Sequence, residues 1–387
     1  MIVRPDAVVM PDGSIASGLE VCISNGIIEQ VRPWSTAERD EVGMLLSPAF
    51  VNAHSHLEYF DLLGKMPDLD YWPWIRELTR LKPSRSLEVV QQAAIEAAFQ
   101  NVACGITTLG EWSDWPVSAN AMAAAGLRGR LYQEVITLAE PEGEGTRLAQ
   151  ATVRAMEATE LSGIPAHPTP HASYTASTTI LRQSAESNSP QSIHVCESEH
   201  EDEFFEHGTG KIAELYRMFD VSFESPGLRT IVFLDSLGAI RPNTQLVHCC
   251  TLTHDEVELI ASRGATVAHC PRSNRALGCL PAPIKQMLRS GIVAGLGLDS
   301  AASSGVIDMF AEMRAAIASA ALLEDPLTSA EVWNMATEGA CKSISVDRNW
   351  RIEPGGNPDL VLLKTRGDLS DQIAHGKPDD VVDVIRL

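Results

Sequence analysis

Two histidines stand one residue apart where an apolar run of the sequence ends. His54 and His56 follow the run Ala49–Ala53 as a His-x-His pair. In an extended chain, side chains two residues apart point to the same side, so the two imidazoles converge on one point. Neutral imidazole is a common metal ligand. Taken alone, the pair leaves metal binding and a chance surface pair about equally open.

Three more histidines and one aspartate stand at the ends of other apolar runs. A single histidine within such a run is more often a hydrogen-bonded core residue than a ligand. Five histidines and an aspartate that share this placement favour a common site instead. Three imidazoles and a carboxylate suit Zn²⁺ and similar divalent metals. The additional residues are His194, His248, His269 and Asp299.

The apolar runs that carry these residues alternate with helical segments. Eight runs predict short buried strands: Ala49–Ala53, Ala103–Leu109, Arg130–Ile136, Ile164–Pro168, Ser192–Cys196, Gln245–Cys249, Thr266–Cys270 and Ile292–Leu298. Helices are predicted between them at Leu87–Asn101, Thr146–Leu161, Asp255–Ser262 and Ile307–Leu323. This alternation predicts an α/β fold, the (β/α)8 TIM barrel. Active sites of such barrels lie at the carboxyl ends of the strands, where the candidate residues stand.

Both ends of the chain show a different pattern, of short strands and turns. Asp12-Gly13 and Asn25-Gly26 are hairpin signals near the amino terminus. Near the other end, the apolar runs Leu360–Leu363 and Val381–Ile385 predict two more strands. We expect residues 1–47 and 347–387 to build one small β-sandwich domain, and residues 48–346 to form the barrel.

The composition is that of a globular protein, with 44% apolar and 21% charged residues. The 387 residues carry 30 Lys and Arg against 51 Asp and Glu, a formal net charge of −21. This acidity argues against nucleic acid or an anionic membrane as a partner, because both require clustered positive charge. Eight cysteines without a Cys-x-x-Cys pair, and no signal-peptide or membrane-spanning pattern, predict a reduced, cytoplasmic protein. A homo-oligomer stays open.

The pattern of histidines and aspartate resembles that of the amidohydrolase superfamily, in particular its mononuclear deaminase branch. That branch includes S-adenosylhomocysteine/methylthioadenosine deaminases and chlorohydrolase-like proteins. The resemblance spans nearly the whole chain. Many members of the superfamily hold two metals bridged by a carboxylated lysine on the fourth strand, but the segment Ile164–His171 contains no lysine. The resemblance therefore implies one divalent metal per subunit, with Zn²⁺ as the first candidate and Fe²⁺ or Mn²⁺ as alternatives.

The same resemblance implies a role for each site residue. Glu197, three residues after His194, matches the catalytic acid, and His248 matches the histidine that orients the attacking oxygen. His171 lies in a Pro-His-Ala-Ser-Tyr-Thr segment whose histidine reaches substrate in the family, although Ser173 replaces the usual proline. The implied metal ligands are His54, His56, His194 and Asp299, and Asp299 is also the implied base.

The substrate implied by the resemblance is a modified adenosine whose aminopurine ring is deaminated by a metal-activated water. The segments around His54–Glu58 and His269–Asn274 resemble aminodeoxyfutalosine deaminases, whose substrate carries a benzoate. Trp72 and Trp74 are candidates for a stacking wall, with packing of their loop as the equal alternative. Arg76 is the candidate cation for a carboxylate.

Two further interpretations concern acidic residues near the predicted site. Glu58 is a candidate either for hydrogen bonding to a ribose or ring amine, or for supporting His54 or His56. Beyond Glu197 itself, the acidic stretch Glu197–Glu206 is interpreted as a solvated face after the fifth strand.

Other functions stay open on the same residues. A guanine- or cytosine-type deaminase and a chloro-s-triazine hydrolase would use nearly the same residue types. A binuclear amide-ring hydrolase would need a second metal. A non-catalytic scaffold on the amidohydrolase fold would be expected to lose the ligands that this chain keeps. Metal content and ammonia release distinguish these hypotheses.

Overall fold

The computed structural model describes residues 1–35, 41–138 and 143–386. The strands are β1 (Ile2–Val3), β2 (Pro5–Val9), β3 (Ile15–Ser17), β4 (Leu19–Ser24), β5 (Ile27–Pro33), β6 (Glu41–Pro48), β7 (Phe50–Ser55), β8 (Ile106–Ser113), β9 (Arg128–Val135), β10 (Ala166–Pro170), β11 (Gln191–Val195), β12 (Thr244–His248), β13 (Thr266–His269), β14 (Ala294–Leu296), β15 (Leu360–Lys364) and β16 (Val381–Ile385).

The helices are α1 (Tyr71–Leu81), α2 (Leu87–Ala103), α3 (Ser118–Ala124), α4 (Glu144–Ser162), α5 (Thr178–Glu186), α6 (Glu199–His207), α7 (Gly210–Met218), α8 (Thr230–Ser236), α9 (His254–Arg263), α10 (Pro271–Ala276), α11 (Ile284–Arg289), α12 (Ala301–Ser304), α13 (Met309–Leu322), α14 (Ser329–Met335), α15 (Glu338–Ser343) and α16 (Leu369–His375). Short 3-10 turns lie at Leu57–Leu62, Lys82–Ser84 and Pro378–Asp380.

Strands β7 to β14 form the predicted barrel. They pair in parallel as two four-stranded sheets, β7–β10 and β11–β14. Two isolated parallel bridges join the sheets, Ser55 with Asp299 and Ala172 with His194. The closing contacts therefore involve candidate site residues, and the carboxyl ends of strands β7, β10, β11 and β14 meet at one place. All eight predicted runs fall on barrel strands.

The barrel strands form from apolar runs because both their faces are covered. Every residue of β7, β8, β11 and β12 is buried. Gly297, just after β14, allows the chain to pass close to β7, since an added Cβ would lie 2.7 Å from the Cβ of His54. A side chain at this position would displace His54, so the glycine helps to place a candidate ligand.

Strands from both ends of the chain lie together outside the barrel. One sheet has the order β16-β15-β6-β2-β3, and a second has the order β1-β4-β5. The Asn25-Gly26 turn between β4 and β5 has φ of 51° and 74°, as expected for a hairpin turn with two left-handed residues. An apolar cluster that includes Val8, Val21 and Leu360 joins the strands of the two sheets.

In the part of the chain that the structure describes, no helix combines the length and apolar character needed to cross a membrane. All eight cysteines are unpaired, and seven of them are buried.

Candidate active site

The predicted histidines and aspartate come together at the carboxyl ends of the barrel strands. His54 lies near the end of β7, His194 near the end of β11, and His248 ends β12. Asp299 follows β14, and its backbone N–H donates to the carbonyl oxygen of His54 at 2.9 Å. His54, His56, His194 and His248 are each at most 8% exposed. The positions are those where barrel enzymes carry out chemistry.

The ligating atoms of these residues point at a common centre. Nε2 of His54 lies 3.3 Å from Nε2 of His194. Nε2 of His54 and Nε2 of His56 each lie 3.7 Å from Oδ1 of Asp299. Two sets, His54–His56–His194 and His54–His248–Asp299, each hold their donor atoms within 4.8 Å of one another. Both sets share His54, so they describe one centre among the described residues.

The protonation states suit a cation at this centre. Nδ1 of His194 lies 2.9 Å from the backbone carbonyl of His171, which can only accept, so the lone pair of His194 is on Nε2. Burial lowers the pKa of His54, His56 and His194, which keeps these imidazoles neutral. Neutral imidazole is the ligating form. Burial raises the pKa of Asp299, but the surrounding imidazoles outweigh it and hold that pKa below its ordinary range.

This donor set fits a divalent metal. Nδ1 of His54 and Nδ1 of His56 have no hydrogen-bond partner in the structure, and the Nε2 atoms face the centre. Three nitrogen donors and one carboxylate match the ligand chemistry of Zn²⁺ and similar ions. The indole of Trp112 packs against the same cluster, with its ring centre 4.1 Å from that of His194, and covers one side of it.

Helix α10 orients two of the site residues. Ser273 donates its hydroxyl hydrogen to Oδ2 of Asp299 at 2.5 Å. Oδ1 of Asn274 lies 2.8 Å from Nδ1 of His248, which fixes the plane of that imidazole. The other oxygen of Asp299 accepts the backbone N–H of Ser300 at 2.7 Å. Partners of this kind set the direction of a ligand and the tautomer of a histidine.

The carboxylate of Glu197 lies beside the candidate metal ligands. Its Oε2 accepts a hydrogen bond from the hydroxyl of Tyr71 at 2.9 Å, and its Oε1 lies 3.6 Å from Nε2 of His248. Burial raises its pKa above the ordinary value. The backbone N–H of Glu197 donates to Oε1 of Glu201 at 2.8 Å. A buried carboxyl group with a raised pKa can hold a proton near neutral pH and donate it.

Four non-glycine residues at the strand ends adopt left-handed backbone conformations. Cys196 has φ of 51°, His248 of 75°, Cys249 of 53° and Asp299 of 54°. Such conformations are uncommon for residues other than glycine and cluster at functional sites. Here they turn the chain at the ends of strands β11, β12 and β14, just where site side chains must face the barrel axis.

The ring of His171 lies against the same centre. Its ring centre is 4.8 Å from that of His194, and burial lowers its pKa to about 3. The hydrogen bonds of Ser173 explain why a serine replaces the usual proline of the family pattern at this position. Its backbone N–H donates to the carbonyl of His194 at 3.3 Å, and its hydroxyl donates to Glu201 at 2.7 Å. A proline could make neither hydrogen bond.

The residues predicted from the first long loop occupy different environments. The loop contains helix α1. Trp74 is 6% exposed and packs with Tyr71 and Leu277, which favours the packing alternative for that tryptophan. Trp72 is half-buried beside Tyr174 and His200. Arg76 is exposed on α1.

Two interpretations of acidic residues need correction. Glu58 does not support His54 or His56 by a hydrogen bond. Its Oε2 instead accepts from the hydroxyl of Ser113 and the backbone N–H of Trp115, because the 3-10 turn at Leu57–Leu62 directs it toward β8. The stretch Glu197–Glu206 is only partly solvated, since Glu201 and Asp202 are buried. Glu201 is buried because its carboxylate accepts the backbone N–H of Glu197.

Sequence reasoning missed two residues that orient the site. Tyr71 directly precedes the candidate Trp72, and its hydroxyl, which can donate a hydrogen bond, was the available signal. Ser273 follows Arg272 in a segment whose polar residues stand just after a predicted strand, and that position was the available signal. The neighbouring side chain of Arg272 donates to the carbonyl of Val306.

A closed parallel barrel with a histidine and aspartate centre at its carboxyl end defines a metal-dependent barrel hydrolase. The chain belongs to the amidohydrolase family, because residues 45–386 match the model described as "Amidohydrolase family".

Three similar proteins extend this finding. A 5-methylthioadenosine/S-adenosylhomocysteine deaminase from Nitratidesulfovibrio vulgaris (strain DP4) is 30% identical over 86% of this chain and 74% of its own. The crystal structure of an adenosine deaminase from Xanthomonas campestris with bound zinc has a TM-score of 0.84 at 24% identity, over 100% of this chain and 91% of that one. Helicobacter pylori aminofutalosine deaminase with methylthio-coformycin has a TM-score of 0.81 at 19% identity, over 100% and 98%. The two structures establish the shared fold.

Proposed function

We propose that the protein is a metal-dependent aminohydrolase that removes the ring amino group of a modified adenosine and releases ammonia. The observation that carries the proposal is Glu197, a buried carboxyl group with a raised pKa beside a converging histidine and aspartate centre. The names of relatives such as the 5-methylthioadenosine/S-adenosylhomocysteine deaminase support the substrate class.

We assign His54, His56, His194 and Asp299 as the ligands of one divalent metal per subunit, with Zn²⁺ as the first candidate. When bound, such a metal lowers the pKa of water enough to supply a nucleophile at neutral pH. The Zn-bound neighbour supports Zn²⁺, and Fe²⁺ or Mn²⁺ would suit the same ligands.

The residues of the chain supply the proton transfers. Asp299 accepts a proton from the attacking water. Glu197 gives a proton to the ring nitrogen next to the carbon under attack, and it recovers one from the newly added hydroxyl group as that group becomes the carbonyl. The proton taken up by Asp299 passes to the leaving amino group, which departs as ammonia. His248 stabilises the oxygen that becomes bonded to that carbon, since its ring is held by Asn274 and its Nε2 faces Glu197.

We assign the substrate to the region around His171 and Trp72. His171 lies against the metal ligands, and Trp72 presents a half-buried indole whose Nε1 has no hydrogen-bond partner. A purine nucleoside offers both a flat ring and hydrogen-bond acceptors. Aminodeoxyfutalosine and S-adenosylhomocysteine or methylthioadenosine are the proposed substrates. Arg76 stays the candidate contact for a substrate carboxylate, and Glu58 for the ribose or a ring amine.

We also infer that residues 1–47 and 347–387 form a β-sandwich domain beside the barrel of residues 48–346. The support is the apolar cluster that joins the two terminal sheets, to which Val8, Val21 and Leu360 belong.

The deciding experiment measures ammonia release by the zinc-loaded protein from a panel of compounds. The panel holds aminodeoxyfutalosine, methylthioadenosine, S-adenosylhomocysteine, adenosine, guanine, cytosine and a chloro-s-triazine. We expect turnover of at least one modified adenosine, with one metal per chain. The proposal would be overturned if the protein turned over only guanine, cytosine or the triazine, or if it bound two metals per chain. It would also be overturned if the protein stayed inactive after loading with zinc, iron or manganese.

A further inference from the structure

Tyr71 makes an unusual contact for a residue at the start of a helix in a connecting segment. It is the first residue of α1, and its side chain is 7% exposed. Its hydroxyl donates to Oε2 of Glu197 at 2.9 Å, across 126 residues of sequence. The hydroxyl of Tyr174 lies 3.1 Å from the same hydroxyl oxygen. No other hydroxyl group of the described residues hydrogen-bonds the side chain of Glu197.

We propose that Tyr71 is a positioning residue that reserves Oε1 of Glu197 for proton transfer. The inference rests on the proposed deaminase function, because it concerns the acid of that reaction. Oε2 is occupied by Tyr71, whereas Oε1 faces Nε2 of His248 at 3.6 Å on the side of the metal-binding residues. When Glu197 is protonated, its proton therefore resides on Oε1. From there it moves to the ring nitrogen, and the electron pair of the O–H bond stays on Oε1.

The direction of the hydrogen bonds follows from protonation. A carboxylate can only accept, so Tyr71 donates to Glu197. Burial, together with the negative charge of Glu197, raises the pKa of Tyr71 well above its ordinary value, so the hydroxyl keeps its hydrogen. Since that hydrogen points to Glu197, Tyr174 must donate to the oxygen of Tyr71. The two hydroxyls form a donor chain that ends on one carboxylate oxygen.

The backbone of Tyr71 is fixed to the same element that orients the other site residues. Its N–H donates to the carbonyl of Leu277 at 2.9 Å, and its ring packs with Trp74 and Leu277. Leu277 directly follows α10, the helix that supplies Ser273 to Asp299 and Asn274 to His248. Helix α10 and the residue that follows it therefore contact Asp299, His248 and, through Tyr71, Glu197.

The first test is the substitution Tyr71→Phe, which removes the hydroxyl and keeps the ring that packs against Leu277. We expect kcat for ammonia release to fall about 10- to 100-fold, as for loss of a hydrogen bond to a charged group, and KM to change less than about 3-fold. The matched control is Tyr132→Phe. Tyr132 is also buried, and its hydroxyl lies 3.5 Å from the carbonyl of Ile344. A Tyr71→Phe enzyme with wild-type kcat would overturn the inference.

A merely structural role for Tyr71 predicts different results. If Tyr71 acts through Glu197, Tyr71→Phe should cost no further activity in a Glu197→Gln background. Metal content and amide hydrogen exchange of α1 should match wild type, because the hydrogen bond to Leu277 persists. An additive loss in the double variant, or faster exchange throughout α1, would assign Tyr71 to structure instead.

A spectroscopic measurement separates this inference from the proposed function. In the NMR spectrum of protein labelled with carboxyl-¹³C glutamate, the resonance of Glu197 is identified by its absence from the spectrum of the Glu197→Gln variant. At fixed pH, the chemical shift of this resonance should change in Tyr71→Phe and should not change in Tyr132→Phe. An unmoved resonance contradicts the hydrogen bond whatever the activity. A shifted resonance in a protein that releases no ammonia from any substrate leaves the contact standing and overturns the deaminase proposal.

Discussion

Buried carboxylates at the carboxyl end of the barrel have different partners from those in the terminal sheets. In the sheet β1-β4-β5, Glu20 is fully buried between Arg4 at 2.9 Å and Arg32 at 2.8 Å. At the barrel end, Glu197 receives the hydroxyl of Tyr71, and Glu111 receives the hydroxyl of Ser118 and a backbone N–H. No arginine pairs with either of these two among the residues that the structure describes.

The difference appears in the pKa values. Hydrogen bonding to Arg32, against the opposing effect of burial, lowers the pKa of Glu20 to about 2. Burial raises the pKa of Glu197 and of Glu111, and raises that of Glu201 to about 7. A carboxylate held by arginine cannot exchange a proton near neutral pH, whereas one held by hydroxyls and amides can. The same residue type is therefore held ionised in the terminal sheet, whereas at the barrel end it has the raised pKa that the proposed proton transfer needs.

The largest effect is expected for Asp299→Asn, which would weaken a proposed metal ligand and remove the proposed base together. We predict loss of most of the bound metal after dialysis and a fall in kcat of about 10³-fold or more, since metal activation and base catalysis fail at once. Metal per chain and ammonia release are the measurements. Asp235→Asn, which breaks an ion pair with Arg263 at the surface, is the control. Full metal content in Asp299→Asn would argue against its role as a ligand.

Next in size is Glu197→Gln, which keeps the shape of the side chain and removes its proton transfer. We predict one metal per chain, a kcat lower by about 10²- to 10⁴-fold, and a Tm equal to or above that of wild type. The unchanged or raised Tm is expected because burial disfavours the charged form of Glu197. Turnover near the wild-type rate would show that another group supplies the proton.

A smaller effect is expected for Asn274→Ala, which removes the acceptor for Nδ1–H of His248. The imidazole loses its fixed orientation, so we predict a kcat lower by about 10-fold with the metal retained. The control is Asn243→Ala, at an exposed asparagine bonded to the carbonyl of Asn188. Equal activity of the two variants would mean that the ring of His248 is held by packing alone.

The barrel strands were predictable because strands that are buried on both faces appear in the sequence as short apolar runs. His54, His194, His248 and Asp299 were predictable as a group because all stand at the ends of such runs. Helix α1 was not predicted, since its residues were assigned to the first long loop. Pro73 is the third residue of the helix, where its missing N–H would have no intrahelical partner, so it is tolerated there.

The partners of the buried carboxylates could not be predicted. Glu20 and Arg32 pair because β4 and β5 lie side by side in a hairpin register, with Glu20 opposite Arg32. Glu197 and Tyr71 meet across the mouth of the barrel, a contact with no local signal. A single sequence shows which groups can titrate. The assignment to stability or to proton transfer depends on tertiary neighbours.

The smallest effect is expected for Glu20→Gln, and it tests the other side of the comparison. We predict a Tm lower by a few degrees at pH 7, because the two arginines lose their partner. We predict a kcat within about 2-fold of wild type, because Glu20 lies in a sheet that is separate from the barrel strands. Thermal unfolding and ammonia release are the two measurements. A loss of activity larger than the loss of stability would connect the terminal sheets to the active site.

The pH dependence of the same variant gives the sharper result. Because the folded pKa of Glu20 is about 2 and its ordinary value is 4.5, its contribution to stability is complete above pH 4.5 and declines as pH falls toward 2. Glutamine does not titrate, so the difference in Tm between wild type and Glu20→Gln should shrink across that interval. Glu197→Gln should show no such convergence, since the pKa of Glu197 is raised and its ionisation does not stabilise the fold. If the Tm of the two variants instead depends on pH in the same way, the ion pairs of Glu20 with arginine do not make it differ from the carboxylates at the barrel end.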